Sequence, residues 1–134
     1  MNVRTIIVDD DSIILMLHSR LVMKSGMDEK PLSYSNAPDA LEYIYGPASD
    51  ETDAVIVLLD INMPGMNGWG FLDELQKKEP PVEVIVAMAT SSIDTTDRKR
   101  AGEYKFVIDY IDKPISFDKL NRIKESERAA PFFK

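Results

Sequence analysis

The chain has no cysteine among its 134 residues. Disulfides, thiolate metal sites and a cysteine nucleophile are therefore excluded. Its one histidine, His18, excludes a two-histidine zinc site. Long apolar runs are missing too. The longest, Ala54–Leu59 and Val84–Ala89, have six residues each, far below the roughly 18 needed to cross a bilayer. The opening Met1-Asn2-Val3-Arg4 leads into a short apolar run and then acids, which is not a secretory signal. A cytoplasmic protein without membrane association is expected. Positive charge is in deficit, with 16 Lys and Arg against 23 Asp and Glu and a net charge of -7. Such a field disfavours binding to nucleic acid or anionic lipid. What remains is ordinary: 44% hydrophobic and 29% charged residues, at a length that suits one domain.

Short apolar runs alternate with helical patterns. Arg4–Val8 reads as a strand ended by acids. Ser12–Ser25 carries Ile13, Ile14, Leu17, Leu21 and Val22 at helical spacing, with Ser12 as N-cap and Gly26 as stop. Leu32–Ser35 alternates apolar and polar, a short strand. Asn36–Gly46 reads as a helix with Pro38 in its first turn, and Gly46–Asp53 as a loop. Val55–Leu59 is wholly apolar, which suits a strand buried on both faces. A turn-rich Asn62–Gly68 follows, then a helix over Gly68–Lys78 stopped by Pro80-Pro81, and a second buried strand over Val82–Ala89. Asp94–Lys105 is a short or weak helix, Phe106–Ile111 a strand, and Ser116 caps a last helix. Ala129–Lys134 is expected to fray, with Phe132 and Phe133 either docked or exposed.

Five β-α units in succession predict an α/β fold: a doubly wound, five-stranded parallel sheet with helices on both faces. In such sheets the chemistry sits beyond the C-terminal ends of the strands, at a switch point in strand order. Strand one is followed there by Asp9, Asp10 and Asp11. Strand three is followed by Asp60 and Asn62, strand four by Thr90, Ser91 and Ser92, and strand five by Asp112, Lys113 and Pro114. Clustered carboxylates repel unless a cation relieves them, and oxygen-only ligands favour Mg²⁺. A carboxylate can also act as a nucleophile and form an aspartyl phosphate. Phosphoryl transfer needs mainly positioning and charge neutralisation, which a divalent cation, an ammonium and a hydroxyl supply. Asp60, alone at the end of the most apolar strand, is the best nucleophile candidate.

These residues carry a resemblance. Ile7-Val8-Asp9-Asp10, Leu58-Leu59-Asp60-Ile61-Asn62-Met63-Pro64-Gly65-Met66-Asn67-Gly68, Thr90-Ser91-Ser92 and Tyr110-Ile111-Asp112-Lys113-Pro114 resemble, in order and spacing, the receiver domain of two-component response regulators, in its chemotaxis-receiver-like form. The resemblance covers residues 3–126, with a short tail at 127–134, and implies a flavodoxin-like (βα)5 domain over the whole of 1–134.

The resemblance implies that Asp60 accepts a phosphoryl group from a histidine of a sensor kinase or phosphotransfer protein. It implies Mg²⁺, with Mn²⁺ as a substitute, held directly by Asp10 and Asp60, by Asp9 largely through water, and by the backbone carbonyl of Asn62. Thr90 and Lys113 would bind the phosphoryl oxygens. Lys113-Pro114 matches the family's cis peptide. Thr90 and Tyr110 match its switch pair, coupling the site to the face made by the fourth helix, fifth strand and fifth helix. Asn62 and Ser92 sit where the family tunes hydrolysis. The implied protein is a cytoplasmic phosphoacceptor rather than an enzyme, a monomer or weak phosphorylation-dependent dimer, with an unidentified protein as downstream target.

Departures are few. The family's Gly-Ala before strand five is replaced by Ala101-Gly102-Glu103-Tyr104-Lys105-Phe106, and Asp11 makes a third consecutive acid. No output domain follows the last helix, so a stand-alone receiver is expected. Passing phosphate on to a second histidine is the alternative within the family. Outside it, an aspartyl-phosphate hydrolase would use the Asp9/Asp11 spacing but leaves Asp60 unexplained. An FMN binder would need a phosphate loop where three acids stand. His18 is expected at the surface or boundary, and Trp69 in packing at the start of its helix. The basic Arg98-Lys99-Arg100 suits an acidic partner surface.

Overall fold

A computed structural model of the chain describes residues 2–91 and 94–133. Among these, five strands form one parallel sheet: β1 (Val3–Val8), β2 (Leu32–Tyr34), β3 (Ala54–Asp60), β4 (Glu83–Thr90) and β5 (Val107–Asp112). Their order is β2-β1-β3-β4-β5, the flavodoxin-like winding. The helices are α1 (Ser12–Ser25), α2 (Ala37–Tyr45), α3 (Ala48–Glu51), α4 (Gly68–Lys77), α5 (Thr95–Ala101) and α6 (Phe117–Glu125). The single-turn α3 lies within the segment expected to be a loop.

β3 is buried at every position, because helices cover both of its faces and leave none for water. Alternate residues serve opposite faces. Ile6, Val8, Val57, Leu59, Val86 and Met88 pack with Ile44, Phe71 and Leu72 on one side. Ile7, Ile56, Leu58, Ile85 and Ala87 pack with Val22, Leu120 and Ile123 on the other. Phe71 and Leu72 are fully buried, so truncation of either to alanine costs about 2–5 kcal/mol.

Local signals place the helix ends. Asn36, Asn67, Asp94 and Ser116 cap α2, α4, α5 and α6 with their side chains. Gly26, at φ +78°, ends α1 in the left-handed conformation that glycine adopts without strain. At the start of α1 the cap is Asp11, not Ser12. The Asp11 carboxylate accepts from the N–H groups of Ile13 and Ile14, and Ser12 is already helical.

Two further expectations are corrected. His18 is 2% exposed, not a surface residue, whereas Ile13 and Leu17 of the supposed apolar face are exposed. The chain end does not fray over its described part: Ala130–Phe132 forms a 3-10 turn, Ala129 is fully buried, and Phe132 and Phe133 pack on the second core. Lys134 lies outside the described residues. Where the Gly-Ala of the family is missing, β5 enters with a register shift: Val86 pairs with Val107, but Ala87 pairs with Asp109. One residue is thus inserted opposite the β4 backbone, as a bulge allows.

Candidate functional site

Parallel pairing brings four strand ends to one edge. Val8 is opposite Leu59, Asp60 opposite Ala89, and Thr90 opposite Asp112. The strand order reverses between β1 and β3, so the connections after them diverge and leave a crevice. A cavity of about 340 Å³ opens there, walled by Asp9, Asp10, Asp60, Asn62, Ser91 and Lys113 among others. A larger concavity of about 490 Å³ lies at the opposite end of the sheet. It holds Glu79 and Glu83 against Lys105 and Arg128, and Arg128 is committed to Glu83 and to the carbonyls of Lys105 and Val84. It offers no cluster of reactive groups.

In the smaller cavity, carboxylate oxygens of Asp9, Asp10 and Asp60 lie within 4.8 Å of one another. Asp9 and Asp60 are buried and Asp10 is exposed. Lys113 Nζ donates to Asp9 Oδ2 at 2.8 Å and to Asp60 Oδ1 at 3.2 Å. The other Asp9 oxygen accepts from the Asp11 N–H at 2.9 Å, which folds the triple acid back into the start of α1.

Burial pushes the Asp60 carboxyl up to about 6, and the Asp9 charge adds to the rise; Lys113 and the Asn62 backbone N–H oppose it. At Lys113 burial works against the ammonium, but the hydrogen bonds and charges of Asp9 and Asp60 outweigh it and the pKa rises. The Asp60 shift thus reflects burial first and the neighbouring Asp9 charge second, and the Lys113 shift reflects the two carboxylates that face it.

The remaining sequence candidates fall around this pocket. Thr90 is buried as the last residue of β4, and its carbonyl accepts from the Lys113 N–H at 2.7 Å. The Lys113–Pro114 peptide is cis. Tyr110 is 4% exposed, with the Arg98 guanidinium 5.3 Å from its ring centroid. Trp69 is buried at the start of α4. It stacks on Tyr104 with centroids 6.0 Å apart, and Arg100 covers its ring at 4.4 Å. Two members of the basic trio on α5 are thus laid over aromatic rings. Ser92 lies outside the described residues.

One residue at this end was not foreseen. His18 Nε2 accepts from the Ile115 N–H at 3.1 Å. Its signal was its place one turn from both Ile14 and Val22 on α1.

Residues 5–124 match the family model for the response regulator receiver domain. The transcriptional regulatory protein MalR of Bacillus subtilis is 34% identical over 119 residues, which are 88% of this chain and 47% of that protein. The DNA-binding transcriptional regulator NtrC of Escherichia coli is 28% identical over 119 residues, 89% of this chain and 23% of that one. The chain thus spans less than half the length of these relatives. A two-component response regulator from Cytophaga hutchinsonii superposes with a TM-score of 0.79 at 26% identity, over 91% of this chain and 93% of that one. No helix among the described residues is long and apolar enough to cross a membrane.

Proposed function

The chain belongs to the response regulator receiver family, and on that premise we propose that it is a phosphoacceptor whose acceptor atom is a carboxylate oxygen of Asp60. The observation that carries the reading is the single ammonium of Lys113 bridging two buried carboxylates, Asp9 and Asp60, in a crevice at the strand ends. The donor is a phosphohistidine of a sensor kinase or phosphotransfer protein. The Asp60 oxygen bonds to phosphorus as the P–N bond breaks; that electron pair stays on the imidazole, and an aspartyl phosphate results. With its pKa near 6, Asp60 is mostly ionised at neutral pH. Its lone pair is also more basic than that of an ordinary carboxylate.

The donor set suits a hard divalent cation: three carboxylates within 4.8 Å, oxygen ligands only, and more negative charge than Lys113 balances. Asp10 and Asp60 would hold it directly, Asp9 largely through water, and Asn62 by its carbonyl. Mg²⁺ is the expected ion and Mn²⁺ a substitute. When bound, it supplies charge neutralisation at the oxygens of the transferring group.

Lys113 pairs with the transferred group once Asp60 is no longer a free anion. The Thr90 hydroxyl, at the neighbouring strand end, takes another phosphoryl oxygen, and Tyr110 passes the change to the α5–β5–α6 face, where a protein partner reads it. The protein is thus a signalling acceptor rather than an enzyme with a separate substrate.

Intact mass after incubation with acetyl phosphate and Mg²⁺ tests this. One added phosphoryl group is expected in the native chain and none in Asp60→Asn or in chelator. A folded chain that takes no phosphoryl group and does not bind beryllofluoride would refute the reading.

A further inference from the structure

We infer that His18 is a positioning residue for Lys113: it holds the backbone of the β5–α6 connection so that the ammonium reaches the acidic crevice. The connection is short, Lys113 to Ile115, and leads directly to Ser116, the cap of α6. A complete account of its backbone donors is possible. Pro114 has no N–H. The Lys113 N–H goes to the Thr90 carbonyl at 2.7 Å, and the Ile115 N–H goes to His18 Nε2 at 3.1 Å. β4 therefore grips one side of the loop and α1 the other, and the grip from α1 is a side chain.

That side chain is suited to the task. His18 and Ile115 are 2% and 4% exposed, so no water stands in for a lost acceptor at low cost. An acceptor at Nε2 requires the neutral ring. Burial favours that form and lowers the His18 pKa to about 4, against Asp9, which raises it, and together with Lys113, which lowers it. α1 begins in the acid triplet and is capped by Asp11. Two acids of the site, Asp9 and Asp10, thus lie just before α1, and the anchor of their counter-ion lies about two turns further on.

The inference rests on the phosphoacceptor reading for what Lys113 does, but not for where Lys113 is held. His18→Leu removes the acceptor. His18→Gln keeps one at the ε position. Phosphorylation by acetyl phosphate in Mg²⁺ is expected to slow roughly ten-fold in His18→Leu, the loss of one buried hydrogen bond, and to recover most of the native rate in His18→Gln. In a Lys113→Met background, His18→Leu is expected to add nothing, since a residue that acts through Lys113 has nothing left to position. Equal loss in both His18 variants, or full additivity with Lys113→Met, overturns the inference.

A readout independent of phosphorylation separates this from failure of the functional reading. By NMR, the native chain should show nitrogen–nitrogen coupling across the hydrogen bond from Ile115 to His18. The Lys113 side-chain resonances should move in His18→Leu and stay in His18→Gln. If the native chain takes no phosphoryl group, these resonances still decide the positioning role; Lys113 signals unmoved in His18→Leu refute it.

Discussion

Gly68 is pressed against the backbone of Asp60: a methyl group at Gly68 would lie 2.7 Å from the Asp60 carbonyl oxygen and 3.0 Å from the Ile61 Cα. The Gly68 N–H also donates to the Ile61 carbonyl at 2.9 Å. The start of α4 is thereby clamped to the end of β3. Both contacts are backbone, so neither gives way as a flexible side chain would. Gly68→Ala is expected to cost roughly 1–3 kcal/mol and to slow phosphorylation by displacing Asp60. Urea unfolding beside labelling with acetyl phosphate measures the two effects. A variant as stable and as reactive as the native chain would show that the loop yields freely.

Among the described residues, Lys113 is the one basic side chain paired with Asp9 or Asp60. Removing one partner of a buried ion pair leaves charge uncompensated. In chelator, Lys113→Met is expected to lose about 3 kcal/mol, with millimolar Mg²⁺ restoring a larger share of stability than it adds to the native chain. Thermal unfolding with and without Mg²⁺ checks this; equal Mg²⁺ stabilisation of both proteins would contradict it.

Two groups give the metal-free protein opposed responses to acid. His18 falls from 6.5 to about 4 on folding. Between those values the unfolded chain holds a proton that the folded chain does not, so stability falls as pH drops, at up to about 1.4 kcal/mol per pH unit. Asp60 rises from 3.8 to about 6. There the folded chain holds the extra proton, and its contribution grows as pH drops. Asp60→Asn removes the second response only. In chelator it should be roughly 1–3 kcal/mol more stable than the native chain at neutral pH, and that advantage should shrink toward pH 4. Denaturant midpoints across this range test it, and parallel curves for the two proteins would count against it.

Trp69 is the chain's one tryptophan, so its emission reports on a single place: the joint of α4, Arg100 and Tyr104. Arg100→Ala is expected to shift that emission and to cost about 0.5–1 kcal/mol, the worth of a solvent-exposed cation over an aromatic ring. Unchanged fluorescence and stability would mean that the guanidinium contributes no contact in solution.

The acidic crevice was legible because it needs only chain order. Apolar runs mark the strands, alternation with helices makes them parallel, and parallel strands put the residues after Val8, Leu59, Ala89 and Ile111 on one edge. His18 was hidden because α1 is apolar on several sides. With Ile13, Leu15, Met16, Leu17 and Met23 all present, spacing does not say which stripe faces inward. That is decided by the β5–α6 connection arriving from the far end of the chain. The cap of α1 was ambiguous for a local reason, since Asp11 and Ser12 can both cap. The Asp9 carboxylate settles it by binding the Asp11 N–H. Phe132 and Phe133 had no periodic context, and only the packing of Ala129 into the second core draws them in.

Arg98 over Tyr110 and Arg100 over Trp69 make the electropositive outline of α5 depend on where two rings stand. If either ring turns, a guanidinium loses its seat and points elsewhere, while every group keeps its ionisation and the total charge is unaltered. Motion of an uncharged side chain is thereby written onto the surface as a rearranged pattern of cations. An acidic partner could distinguish two forms of the protein by the spacing of the same charges.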